Sequence, residues 1–246
     1  SYCEEVSSID VYANVDIATE AKIAFNLGAK GIGLCRLEHL LARPSYLTKL
    51  QSVMALAWII RPLSENLLYA NNNIDKWPSS MGAHAIKMDV DRQVHDDPAF
   101  QTYLHEIGGI EEILVGELTE LFACANGKPV TIRLVDPPLS EFISKITIEN
   151  LQKQEVISLR NKHVLEELAS RKDSMIGLRG IRICSIAPEF TGAQIRGIIK
   201  AAKAGAKKVG SRVLVDVMAP FVIDPIEISF LRKIIEREKL AYLSQE

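Results

Sequence analysis

Short apolar runs alternating with helical periodicity constrain this chain more than any other feature. Val11–Val15, Gly31–Cys35, Val130–Val135 and Val213–Met218 each read as a strand, and each is followed by a stretch with apolar residues at three- and four-residue spacing. Such alternation builds βαβ units on a parallel sheet. Val213-Leu214-Val215 is apolar without alternation, which predicts a strand buried on both faces.

Local signals set the expected helix limits. Ala18–Leu27 is closed by Gly28, and Tyr46–Ile60 opens near Pro44 and stops at Pro62. Gly109–Cys124 ends at Asn126-Gly127, and Ile148–Arg171 reads as a charged helical hairpin. Pro188–Ala204 is expected to stop at Gly205. Asp224-Pro225 reads as an N-cap with proline at the first helical position, opening Ile226–Lys239. Asn71-Asn72-Asn73, Trp77-Pro78-Ser79-Ser80 and His95-Asp96-Asp97-Pro98 are turn signals without sustained period. Residues 64–105 therefore read as an insertion or excursion within one domain spanning 1–246. Four strands are half of what a closed (βα)₈ barrel requires.

The 246 residues are 48% apolar and 24% charged, an ordinary globular composition. A net charge of −2 gives no reason to expect nucleic acid or an anionic membrane, so an anion site must be built locally. Cys3, Cys35, Cys124 and Cys184 form no CxxC pair and no zinc spacing, which predicts reduced thiols and a cytoplasmic setting. No secretory signal and no membrane span are expected. His39, His84, His95, His105 and His163 lack metal-ligand spacing.

In parallel βα folds functional groups collect at the C-terminal ends of strands. Arg36 ends the second strand, and Arg133 lies in the third with Asp136 just beyond it. An arginine in an apolar strand needs a partner or a ligand. A guanidinium fork matches phosphate oxygens in bidentate geometry. Two readings stay open: a phosphate clamp, or a structural ion pair of Arg133 with Asp136 or Glu38. Gly177-Leu178-Arg179-Gly180 with Arg182 forms a second glycine–arginine cluster, either adding cations to the same pocket or forming a solvated turn. Gly31-Ile32-Gly33 lacks the third glycine of a dinucleotide loop. Cys35 beside Arg36 reads as a small core residue.

Gly31-Ile32-Gly33-Leu34-Cys35-Arg36-Leu37-Glu38-His39 resembles a segment of pyruvate phosphate dikinases. Val130-Thr131-Ile132-Arg133-Leu134-Val135-Asp136-Pro137-Pro138-Leu139-Ser140-Glu141-Phe142 and Met175-Ile176-Gly177-Leu178-Arg179-Gly180-Ile181-Arg182 resemble two more, in the same order. Val11-Tyr12-Ala13-Asn14 and Val217-Met218-Ala219-Pro220 are similar to that family's opening and IMIP-like strands. The resemblance implies the N-terminal half, about four strands with inserted helices, of a TIM-type phosphoenolpyruvate/pyruvate-binding barrel. It implies that Arg36, Arg133 and Arg179 bind substrate, with Glu38, Asp136 and Arg182 in support. The arginines would stabilise a phosphoryl group passing between phosphoenolpyruvate and a histidine on a phosphohistidine domain. It further implies association into a homodimer and Mg²⁺ held by a glutamate and an aspartate on later strands, followed by an acid cysteine.

No residue after Pro220 matches those carboxylates or that cysteine. Leu178 and Asp173 stand where dikinases usually show histidine and asparagine. The expectation is a clamp without metal ligands in this chain, with no complete catalytic set and no turnover by the chain alone. The alternative is a non-catalytic phosphoenolpyruvate- or anion-binding regulatory protein derived from such a barrel.

Overall fold

A computed structural model describes residues 9–73, 96–136, 138, 142–170 and 179–244, with backbone only for 61–73, 184 and 185. Cys3, His84, His95 and the Gly177-Leu178 half of the glycine–arginine cluster lie outside the described residues or side chains.

The chain opens with β1 (Tyr12–Asn14), α1 (Ala18–Asn26), β2 (Gly31–Arg36), the short α2 (Leu37–Leu41) and the long α3 (Pro44–Asn73). α4 (Pro98–Ala125) leads to β3 (Pro129–Arg133), and the pair α5 (Lys145–Lys153) and α6 (Leu159–Ser170) follows. A 3₁₀ turn at Gly180–Arg182 and α7 (Ile183–Ile186) precede α8 (Pro188–Val209), β4 (Leu214–Met218) and α9 (Pro225–Leu243). The four strands form one parallel sheet in the order β1-β2-β3-β4. Parallel neighbours require crossovers over the sheet. Here α1, α4 and α8 are those crossovers and pack side by side. Ile32, Cys35, Val130 and Ile132 join Tyr103, Phe122 and Phe190 in one core.

Several helix limits differ from expectation. α3 continues through Pro62 to Asn73. Proline removes one backbone donor, but the first half of the helix is anchored by fully buried Leu50, Met54 and Leu56, and an established helix adds further turns cooperatively. α4 begins at Pro98, with the Asp97 carboxylate accepting from the Phe100 N–H at 3.0 Å. The expected loop signal at His95–Pro98 is in part a helix cap, and both flanks of the 64–105 stretch, 64–73 and 98–105, are helical. The 148–171 segment does form two helices, α5 and α6.

Gly205 does not stop α8. The helix runs to Val209, and Gly210, at φ +67°, takes the stop. Gly205 and Gly197 instead let α8 lie directly on α4. A Cβ at Gly205 would stand 2.9 Å from Phe122 Cβ, and one at Gly197 would stand 2.9 Å from Leu114 Cβ.

β4 is also corrected. Leu214 and Met218 are each 39% exposed, because they share one face of the strand and the described core packs on the opposite face. Within β4, Val215 and Val217 pack on the core. β3 ends at Arg133 rather than Val135. The ladder still extends one bond further, from the Leu134 N–H to the Met218 carbonyl at 3.2 Å. Among the described residues no helix is long and apolar enough to cross a membrane.

Replacing Gly205 with valine should cost about 1–3 kcal/mol by overpacking the α4–α8 contact. Urea unfolding should show a lower midpoint with unchanged slope; an unchanged midpoint would mean that the two helices can separate freely.

Candidate anion site at the strand ends

Arg36 and Arg133 are direct register partners at the C-terminal ends of adjacent strands. Each is held by a carboxylate. Asp16, two residues past β1, accepts from the Arg36 backbone N–H at 2.7 Å, from Arg36 Nε at 3.3 Å and from Arg36 Nη2 at 2.8 Å. The His39 ring nitrogen Nδ1 sits 3.1 Å from the same carboxylate. The hydrogen bond that Arg36 donates to Asp16 raises the Arg36 pKa above its ordinary value, so the guanidinium stays charged.

Arg133 lies between two acids. Its Nη2 donates to Glu38 Oε1 on α2, and its Nη1 lies 3.6 Å from Asp136 Oδ2. Asp136 also accepts from Arg179, at 3.1 Å from Nη2 and 3.4 Å from Nε. Asp136 is thus shared by two guanidiniums that would otherwise repel each other. Glu38 and Asp136 are 4% and 8% exposed. The Arg36, Arg133 and Arg179 side chains retain 31%, 23% and 19% exposure. Each guanidinium carries five N–H donors. Arg133 Nε and Glu38 Oε2 are buried without a hydrogen-bond partner among the described residues. Buried polar atoms normally find one.

Backbone contacts tie the loops together. The Gly180 N–H donates to the Asp136 carbonyl and the Ile181 N–H to the Pro220 carbonyl, both at 2.9 Å. The Val135 N–H donates to Gln194 Oε1 on α8 at 3.0 Å. Arg182 does not reach Asp136 in the described contacts. Its Nε lies 3.5 Å from Glu227 Oε1, within the Asp224–Glu227 capping box of α9. Phe221 lies under both arginines of the 3₁₀ turn, its ring centroid 4.8 Å from the Arg179 guanidinium carbon and 5.2 Å from that of Arg182.

The geometry brings Arg36, Arg133, Arg179, Glu38 and Asp136 together and sets Arg182 at the margin. Both ion pairs that the sequence left open for Arg133, with Glu38 and with Asp136, are present. Sequence reasoning missed Asp16, although it stands just past the Val11–Val15 run, where the same strand-end logic applies. It also missed Phe221, which carried no local signal. Cys35 is a core thiol. Burial, then the charges of Asp16 and Glu38, push its pKa up to about 12, so it stays protonated. Cys35 and Cys124 are free thiols. Among the described residues no three metal-ligating side chains converge. Asp16, Glu38 and Asp136 are each committed to arginine, so this donor set does not fit Mg²⁺. A groove of about 770 Å³ between α3 and α4, lined in part by Tyr46, Lys49 and Glu112, contains none of the strand-end arginines.

The chain belongs to the PEP-utilising enzyme family, matching its PEP-binding domain over residues 1–245. It is similar to pyruvate, phosphate dikinases. It is 29% identical to pyruvate, phosphate dikinase 2 of Oryza sativa subsp. japonica over 93% of this chain and 22% of that protein. It is 28% identical to the Entamoeba histolytica enzyme over 94% of the chain and 22% of the relative. Against the Rhizobium meliloti enzyme it is 27% identical, over 92% of the chain and 21% of the relative. The chain spans about a fifth of the length of these relatives.

The Glu227 carboxylate accepts from the Ile223 N–H at 2.8 Å and the Asp224 N–H at 3.2 Å. The Ile223 bond is the largest cause holding its pKa below the ordinary value; the Asp224 bond and Arg182 add to it. A depressed folded pKa contributes stability that is present above the unfolded value and lost as pH falls through the folded one. Stability should therefore fall on acidification below about pH 4.3, and Glu227→Gln should flatten that limb. An unaltered acid limb in the variant would remove Glu227 from the account.

Proposed function

We propose that this chain is the phosphoenolpyruvate/pyruvate-binding part of a dikinase-like phosphotransferase, built as the four-stranded N-terminal half of a TIM-type barrel across residues 1–246, with 64–105 an excursion from it. The observation that carries the reading is the convergence of Arg133 and Arg179 on Asp136, with Arg36 beside Arg133 in register. In this reading the carboxylates hold the cations in place before a ligand arrives. The phosphoryl oxygens of phosphoenolpyruvate then take guanidinium donors that the carboxylates leave over, on side chains that keep 31%, 23% and 19% exposure at Arg36, Arg133 and Arg179. Charge-assisted bonds of this kind stabilise the charge on a transferring phosphoryl group.

The same reading assigns the histidine that exchanges the phosphoryl group to a separate phosphohistidine domain. Mg²⁺ belongs to carboxylates that find no match after Pro220. This chain accordingly binds the substrate without completing the reaction. Among the described residues no strand pairs beyond β1 or β4, and such edges suit association with a second copy.

Calorimetric titration with phosphoenolpyruvate tests the clamp. The chain should bind it, with affinity falling as salt rises, and Arg133→Ala should weaken binding roughly 10- to 100-fold, the range for losing a charged hydrogen bond. Absence of heat at millimolar phosphoenolpyruvate, or equal binding by the variant, would overturn the clamp.

A separate assay tests the incomplete catalytic set. The purified chain should form no phosphoenolpyruvate from pyruvate, ATP, phosphate and Mg²⁺, whereas turnover would show that the chain holds the missing groups.

A further inference from the structure

We propose that Phe221 is a positioning residue for the strand-end site: its ring is a shared platform that orients the guanidiniums of Arg179 and Arg182. The inference deepens the anion-clamp reading and rests on it for its functional consequence. Three independent observations carry it.

First, both guanidiniums lie over the same ring, with centroid distances of 4.8 Å for Arg179 and 5.2 Å for Arg182. A guanidinium stacked on an aromatic face keeps its N–H donors in its own plane, pointing past the ring edge. Arg179 spends two of those donors on Asp136. Arg182 turns its Nε toward Glu227. Unstacked, either side chain would sample several rotamers and present its donors in many directions.

Second, the Phe221 backbone is left-handed, at φ +59°. Gly or Asn adopts that conformation far more readily, and a bulky side chain there is a genuine outlier. Local folding therefore gives no reason for an aromatic at 221. Its contacts with the two arginines do.

Third, the opposing segment is shaped to admit it. Gly180 has φ +57°, and a Cβ there would meet the Pro220 carbonyl oxygen at 2.6 Å, Phe221 Cβ at 2.9 Å and Asp136 Oδ1 at 3.1 Å. The Ile181 N–H to Pro220 carbonyl bond then locks the post-β4 loop against the turn that carries both arginines. The ring, the turn and Asp136 form one unit. Through it the loop after β4 sets donor directions at the end of β3.

The experiment combines two readouts on the 246-residue chain. In ¹⁵N-labelled protein the Nε–H signals of Arg179 and Arg182 should be displaced by the ring current. They should lose that displacement in Phe221→Leu and keep it in Phe221→Tyr. Calorimetry with phosphoenolpyruvate should show Phe221→Leu binding about 3- to 10-fold more weakly, as expected for losing a partly desolvated cation–π contact, and Phe221→Tyr within about twofold of wild type.

Phe221→Gly separates positioning from folding. Glycine relieves the left-handed backbone, so its thermal midpoint should lie at or above that of Phe221→Leu while its binding is equally weak. A merely structural residue would move midpoint and affinity together, and that outcome would overturn the proposal. So would undisplaced Nε–H signals in the wild type, or Phe221→Leu binding as well as wild type. Displaced signals in a wild-type chain that binds no phosphoenolpyruvate would uphold the platform and overturn the clamp reading instead.

Discussion

Asp136 allows two guanidiniums to occupy one strand end. Arg133 and Arg179 come from segments more than forty residues apart, and bringing like charges together in a partly buried place is unfavourable unless an anion stands between them. Asp136 is that anion, and its own backbone carbonyl accepts from Gly180. Remove it and Arg133 would keep Glu38, but Arg179 would lose the partner that draws it toward β3. The charged half of the site therefore depends on one carboxylate three residues past a strand.

The helical layer supplies the rigidity behind that arrangement. α8 lies against α4 along Gly197 and Gly205. From that position Gln194 on α8 reaches the Val135 N–H, one residue before Asp136. Arg196 on the same helix joins buried Glu111 of α4 and Glu238 of α9 at 2.8 and 3.0 Å. Burial opposes ionisation of Glu238, yet hydrogen bonds from Arg237 and Arg196 leave its pKa below the ordinary value. Close backbone approach to α4, with charge paired to α4 and α9, holds α8 in a single register. The loop after β3 inherits that register.

Much of this was legible in the residues. The order of strands and helices followed from apolar spacing, and the caps at Gly28 and Asp224 from turn chemistry. The strand-end arginines stood out because guanidinium in an apolar run demands an explanation. The misreadings share one cause. Gly205 and Pro62 look like stops by local propensity, but tertiary contacts and helix cooperativity override propensity. The apolar β4 looks buried on both faces, but burial depends on neighbours that a strand does not itself encode.

The sequence alone determined the chemical inventory: which cations stand at strand ends, which acids stand near them, and which family they resemble. It could not say that Asp16 takes Arg36, that Asp136 is shared, or that Phe221 sits beneath two arginines. The contacts of Asp16 with Arg36, of Asp136 with Arg179 and of Phe221 with both arginines join residues 20 to 43 positions apart. Such distances in sequence leave no periodic trace. They close only when parallel pairing sets β2 beside β3 and the 3₁₀ turn docks on the loop after β4.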